Sequence, residues 1–406
     1  MPTHAAALRD ADYAPGSVGD VFRLIRSDQA TSRSALARHT GLSPSTVGIR
    51  VEALQRLGLV SEDGEQESRG GRRAKRLHVS RDAGWVAAID FGANHLDVAL
   101  ADLDGRIFTQ TTHPGVDDQE PGAVVASMWR RIVEASEAAS VETSALRGVA
   151  VSLPAPIEYP SGRVVFPSFM PSWHNVSLPS LFAGFTDAPV LVENDANLVA
   201  LAEATPAGGD HLLAVVLGMR IGSGIITEGR LQRGFNGAAG EISHTSAGGE
   251  PAISCVCGLD DCLESVASGG AIAAKLAAAG YAVATVEDVI HLGRTADPVV
   301  VAALREAGTR IGTVLASVVN FFNPRRVVLG GTMSTSAPLV AAIRAELFNR
   351  CLPIAAHDLD VSAADDPASA GLRGAVKLAL EEALAPARID ELARIDAQSA
   401  QTAQPA

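Results

Sequence analysis

The chain has 406 residues, of which 47% are hydrophobic and 19% charged, a balance that excludes a wholly disordered protein and allows two or three domains with a sizeable core. No uninterrupted apolar run of about 18 residues occurs, so no membrane span is predicted. The net charge of −13 is unevenly placed: residues 17–81 hold twelve lysines and arginines against seven acids, a net of +5, which leaves −18 for the rest and predicts an N-terminal module for a polyanion on an acidic body. Four cysteines without an evident signal peptide point to the reducing cytoplasm.

In chain order, Val18 to Arg26 carries apolar residues at helical spacing, and Ser34 to His39 is a short helix stopped by Thr40 and Gly41. Ser43 fits an N-cap with Pro44 at the first helical position, starting a helix that runs to Leu57. Helix, tight glycine turn and second helix is the arrangement that places a recognition helix in the DNA major groove. Val47, Val51, Leu54 and Leu57 would face inward, leaving Ser45, Thr46, Ile49 and Arg50 for base edges and adjacent phosphates. A strand over 58–60, a return strand over 74–79 and the loop between them read as a wing. Arg69, Arg72 and Arg73 at the end of that loop suit phosphate or minor-groove contact. The competing interpretation is a helical adaptor with a solvated basic face.

From Trp85 the pattern changes to strands. Residues 85–108 read as strand, glycine turn, strand, Asp-Gly hairpin and strand, and residues 211–234 repeat the pattern about 126 residues later. A duplicated α/β unit follows, with a cleft between two lobes and a boundary near 205. Glycine turns at Gly92 and Gly218 could cradle phosphates through backbone N–H groups, but Ala93, Asn94 and His95 follow the first, and Met219 and Arg220 follow the second. Nucleotide binding and two ordinary hairpins both remain open. Glu193 to Asn197 (ENDAN) joins an apolar strand to a helix, which makes Asp195 either a base or hydroxyl acceptor, or only part of a helix cap with Asn194.

The segment from Gly240 to Glu264 holds three of the four cysteines. Cys255, Cys257 and Cys262 lie too close together for relaxed disulfides, but with His244 they form a Cys3His set suited to one tetrahedral zinc ion. A closed set of four leaves no open position, so the zinc would be structural. Three unrelated thiols are the alternative. Glu241 and Glu264 bracket the clip, which would either aim them at a polyhydroxylated ligand or leave them as surface acids. Helices are predicted near 122–140, 267–280, 298–322 and 372–384, a strand runs into the turn at 329–331, and the Ala/Gln-rich residues 386–406 are expected to be disordered.

Together, ENDAN (193–197), GAAGEISH (237–244), CVCGLDDCLE (255–264), the repeated hairpins and the LGG turn (329–331) resemble the ROK family (repressor, open reading frame, kinase), specifically its DNA-binding regulators. The resemblance covers residues 17 to about 385. It implies an α/β fold: a winged helix-turn-helix (17–81) followed by an actin-like, ribonuclease-H-like duplicated sugar-kinase domain (84–385). It also implies that Asp195 stands where the family's kinases keep their general base, and that Asn194, Glu241, His244 and Glu264 stand where sugar hydroxyls are held. His244, Cys255, Cys257 and Cys262 match the zinc ligands. The family's two phosphate motifs, Asp-x-Gly-Gly-Thr and Gly-Thr-Gly-x-Gly, are altered at residues 90–94 and 218–222, and the sugar-contacting Asn of some members is replaced around Phe169.

The expectation is therefore a sugar-responsive repressor rather than an enzyme, with operator DNA and a sugar or sugar phosphate as partners, acting as a homodimer or homotetramer. An active carbohydrate kinase carrying a DNA-binding domain and a constitutive DNA-binding protein with an inert cleft are the alternatives.

Overall fold

A computed structural model of the chain describes residues 14–65, 75–92, 95–115, 120–165, 167, 170–205 and 210–402. The first three helices are Val18–Arg26, Arg33–Thr40 and Pro44–Arg56. Each begins as its local sequence dictates, with the hydroxyls of Ser17, Ser32 and Ser43 accepting from the amides of Asp20, Ala35 and Thr46. Gly41 ends the second helix in the left-handed region at φ 72°, where a side chain would be strained. The wing strands are Val60–Glu65 and Lys75–Val79, paired antiparallel from Val60 opposite Val79. The first of them is longer than the sequence suggested, because its polar residues continue the ladder past Ser61.

Two five-stranded sheets follow. Their spatial order is Ile107–Pro114, His95–Asp102, Trp85–Phe91, Leu146–Leu153, Val190–Asn194 in the first lobe. In the second it is Arg230–Leu231, Ile221–Thr227, Leu212–Leu217, Arg326–Gly330, Asp360–Ala363. Both sheets pair antiparallel twice and then parallel twice, so the duplication read from the hairpins holds for the whole sheet. The helix Asp195–Glu203 leaves the last strand of the first sheet and packs on the second, with Ala196 and Ala200 against Gly222 and Gly224.

Helix Ala370–Ala383 returns from the second lobe to the first and packs on Asp195–Glu203, where a Cβ at Gly374 would overlap the Leu198 carbonyl. The tail corrects the sequence-based expectation of disorder: Pro386–Thr402 is a helix against Val18–Arg26. Its Ile389 is fully buried, Asp390 Oδ1 accepts from the Gly19 amide at 2.8 Å, and Asp396 pairs with Arg56 at 3.1 Å. Apolar residues hidden among many alanines therefore suffice to dock it. As a result, the core of the helix-turn-helix continues without a break through Val86, Ala150, Leu198 and Val376 into the first lobe. No helix among the described residues is long and apolar enough to cross a membrane.

Candidate functional site

The cleft between the lobes is built on strand ends. Asn194 closes the last strand of the first sheet and caps the helix behind it: its Oδ1 accepts from the amides of Ala196 and Asn197 at 3.0 and 3.3 Å, while its Nδ2 donates to the Ala155 carbonyl at 3.2 Å. Asn194 is thus chiefly a cap. The neighbouring Asp195 carboxylate shares that cap, its Oδ1 accepting from the Ala196 amide at 2.8 Å. Burial, then the negative charges of Asp90 and Glu241, push the Asp195 carboxyl up to about 7. Glu241, at the start of the short helix Ile242–His244, is likewise raised by burial. Glu264 is 2% exposed and raised by burial; its Oε2 accepts from the Ile221 amide at 2.9 Å, and its Oε1 has no hydrogen-bond partner. The charge of Glu241 raises both Asp195 and Glu264, so Glu241 lies within electrostatic range of each of them.

His244 links Glu241 to the cysteines. Its Nδ1 lies 3.2 Å from Cys255 Sγ, and its Nε2 lies 4.0 Å from Glu241 Oε2. Cys257 Sγ is 3.3 Å from both Cys255 Sγ and Cys262 Sγ, and the four donor atoms all fall within 4.8 Å of one another. These separations are far above the roughly 2.05 Å of a disulfide, while four donors surrounding one point fit a tetrahedral ion. Cys262 is fully buried, which pushes its thiol up to about 12; a cation among the sulfurs would relieve that penalty. Cys351 is remote, its Sγ facing the Ala316 carbonyl.

At the two glycine turns the amides of Gly92 and Gly218 already have backbone partners. Gly92 donates to the His95 carbonyl at 3.0 Å, and the His95 ring folds over Gly92 toward Asp90. Ala93, Asn94 and Phe169 lie outside the described residues. At the second turn the Gly218 amide donates to Arg220, and the amides of Gly269 and Gly270, which open helix Gly269–Ala278, donate to the carbonyls of Gly218 and Met219 at 3.0 Å each. Those helix-start amides, usable elsewhere for an anion, are engaged by the turn itself. Arg220 lies 3.5 Å from Glu264 Oε1.

Sequence reasoning overlooked an interlobe latch. Glu193, 4% exposed, accepts from Asn197 Nδ2 and pairs at 2.6 Å with Arg233 of the second lobe. Arg233 also stacks over Tyr159 at 4.6 Å, and Tyr159 N donates to the Asn236 carbonyl. Glu193 stood inside the ENDAN motif, but no spacing rule connects it to residue 233.

On the recognition helix, Ile49 is 63% exposed, Ser45 is exposed, Thr46 and Arg50 are half-buried, and Arg50 Nε has no hydrogen-bond partner. Arg33 braces the helix from behind through Glu62, Gln55 and the Gly48 carbonyl. Arg69, Arg72 and Arg73 lie outside the described residues.

The sequence matches the ROK family over residues 86–382 and a winged helix-turn-helix DNA-binding domain over residues 19–61. It is 29% identical over 335 residues to the xylose repressor of Bacillus subtilis (strain 168), covering 81% of this chain and 86% of that protein. The crystal structure of a ROK family transcriptional regulator, a homologue of the Escherichia coli Mlc protein, superposes with a TM-score of 0.77 at 26% identity, over 92% of this chain and 98% of that one. A ROK family glucokinase from Streptomyces griseus, solved with glucose and AMPPNP, gives 0.63 at 26% identity, over 73% and 99%. Since the family match spans most of its length, this chain belongs to the ROK family, with a winged helix-turn-helix at its front.

Proposed function

We propose that the chain is a sugar-responsive transcriptional repressor of carbohydrate genes. The observation that carries this reading is the contrast within the cleft: Glu241 lies within electrostatic range of both Asp195 and Glu264, while the amides of Gly218, Gly269 and Gly270 donate to backbone carbonyls at the second turn. Acceptors at the first site suit sugar hydroxyls, with the remaining amide hydrogen of Asn194 and the imidazole of His244 at the rim. The Bacillus subtilis xylose repressor and the ROK family transcriptional regulator named above align with 81% and 92% of this chain. Zinc is the ion we assign to His244, Cys255, Cys257 and Cys262; it would supply a crosslink that fixes the Glu241–Glu264 segment, with no open position for chemistry.

Ser45, Thr46, Ile49 and Arg50 would read base edges, Ile49 by apolar contact with a thymine methyl, and Arg69, Arg72 and Arg73 would hold phosphates. One helix reads few base pairs, so a homodimer or homotetramer on a two-fold operator is expected. Sugar closing the lobes would act through Asp195–Glu203, Ala370–Ala383 and the C-terminal helix, which form one packed path to the helix-turn-helix. It can change DNA affinity only by its differential affinity for the two closures, typically about 1–3 kcal/mol.

One observation favours a second reading. A carboxyl held near 7 is well matched to general-base work on a sugar hydroxyl, as a kinase requires. Coupled ADP release across xylose, glucose and N-acetylated hexosamines separates the two: a repressor gives none above background, and brisk turnover with any of them would establish the kinase.

A further inference from the structure

A second cavity lies away from the lobe cleft, between the helix-turn-helix and the body. Its volume is about 830 Å3, within the roughly 300–1,000 Å3 usual for small-molecule sites, and domain junctions are where such sites often form. Three guanidinium groups from three elements line it: Arg26 from the end of the first helix, Arg76 from the second wing strand and Arg81 from the linker into the body. Ser61, Ser80 and His78 add hydroxyl and imidazole groups, with Ser61 Oγ 3.0 Å from His78 Nε2. Ile25, Val79 and Leu103 supply an apolar floor.

The acids present are weak competitors for these cations. Arg76 pairs with Asp28 at 3.2 Å and Arg81 with Asp104 at 3.2 Å, both pairs well exposed to water. Exposed pairs of this kind contribute little and exchange partners readily. Among the described residues Glu381 and Asp104 give Arg26 charge support, and its loss of water pulls its guanidinium pKa down, a penalty that a bound anion would relieve. Asp28 and Asp104 also line the cavity and the carbonyl end of the first helix opposes an anion, so three guanidiniums stand against two water-exposed carboxylates and one helix terminus.

We propose that this cavity binds a small phosphate-bearing metabolite, its phosphoryl oxygens held by Arg26, Arg76 and Arg81 and its hydroxylated remainder by Ser61, Ser80 and His78. Guanidinium is the group suited to bidentate capture of phosphate, and the volume exceeds that of phosphate alone. Because Arg76 belongs to the wing and Arg81 with Asp104 to the linker and body, an occupant ties the two together and sets the angle of the recognition helix. This site is independent of the sugar cleft, so either could exist without the other.

The test is isothermal titration of the full chain with inorganic phosphate, glucose 6-phosphate and glucose. Both phosphates should bind and glucose should not compete with them. Affinity should fall about tenfold or more in Arg81→Ala and in Arg76→Ala, and persist in Asp195→Ala. Asp104→Asn, which removes a rival acceptor while leaving the guanidiniums in place, should tighten phosphate binding, and it serves if the alanine variants unfold. Equal phosphate affinity in Arg81→Ala and wild type, or none in either wild type or Asp104→Asn, would overturn the proposal. So would an Arg81→Ala variant that loses operator affinity with a shallower salt dependence, since the cavity would then be a seat for DNA backbone.

Discussion

The region of the cleft around Asp195 and the region around Gly218 are both made where sheet strands end, yet they present opposite surfaces. At Asp195 the helix start is capped by Asn194 and by the Asp195 carboxylate, which also feels the charges of Asp90 and Glu241; at Gly218 the backbone donors are bonded to neighbouring carbonyls and Arg220 reaches back to Glu264. Duplicated topology preserved the frame of both regions, while a few side chains set the different groups that each presents. Fold membership alone would have predicted two working halves.

The harshest way to break this contrast is to remove the ion proposed to brace one half. Chelation, or Cys257→Ser, should lower the melting temperature by roughly 10 °C and abolish any sugar-dependent stabilisation. A metal-free chain that melts and binds sugar as before would remove the brace from the account. Next comes the packing behind Asp195. Gly374→Ala forces a methyl into the Leu198 carbonyl and should cost about 3 kcal/mol in urea unfolding, with the loss felt where Ala370–Ala383 packs on Asp195–Glu203.

A milder change sharpens the acid half. In the fold the Asp195 carboxyl is raised from 3.8 to about 7, so the native state holds an extra proton between those values and stability falls as pH rises through that window. Asp195→Asn should therefore gain on wild type by about 1–2 kcal/mol at pH 8, after discounting for solvent screening, and show no gain below about pH 4. Melting curves at the two pH values decide it. Smallest is Arg220→Ala, expected to lose about 1 kcal/mol because Glu264 keeps a buried charge with less compensation. It should gain no stabilisation from ATP, since the Gly269 and Gly270 amides remain engaged; ATP-dependent stabilisation would show that Arg220 alone closes that half.

Much of this was legible in the sequence where the signal is local. Ser43, Pro44 and Gly41 carry the capping chemistry that fixes the recognition helix, and the cysteine spacing foretold the convergence on His244. The hairpin repeat foretold two like sheets, although the interior strand Leu146–Leu153 and the edge strand Asp360–Ala363 lie outside the repeated hairpins. What escaped was long-range: the Glu193–Arg233 latch and the docking of the C-terminal helix on Gly19 join residues whose partnership no periodicity records. Alanine-rich composition at the tail resembles disorder until Ile389 meets a core.

The most direct measurement is fluorescence anisotropy of wild type, Asp195→Ala and Arg50→Ala on a duplex selected from a random pool, with and without each sugar of a panel containing xylose. Wild type should change DNA affinity with one sugar. Asp195→Ala should match its sugar-free affinity and ignore the sugar, while Arg50→Ala should lose about tenfold in DNA affinity and still be stabilised by the sugar in melting curves. Loss of both properties in both variants would contradict a cleft that reports to a separate DNA-reading surface.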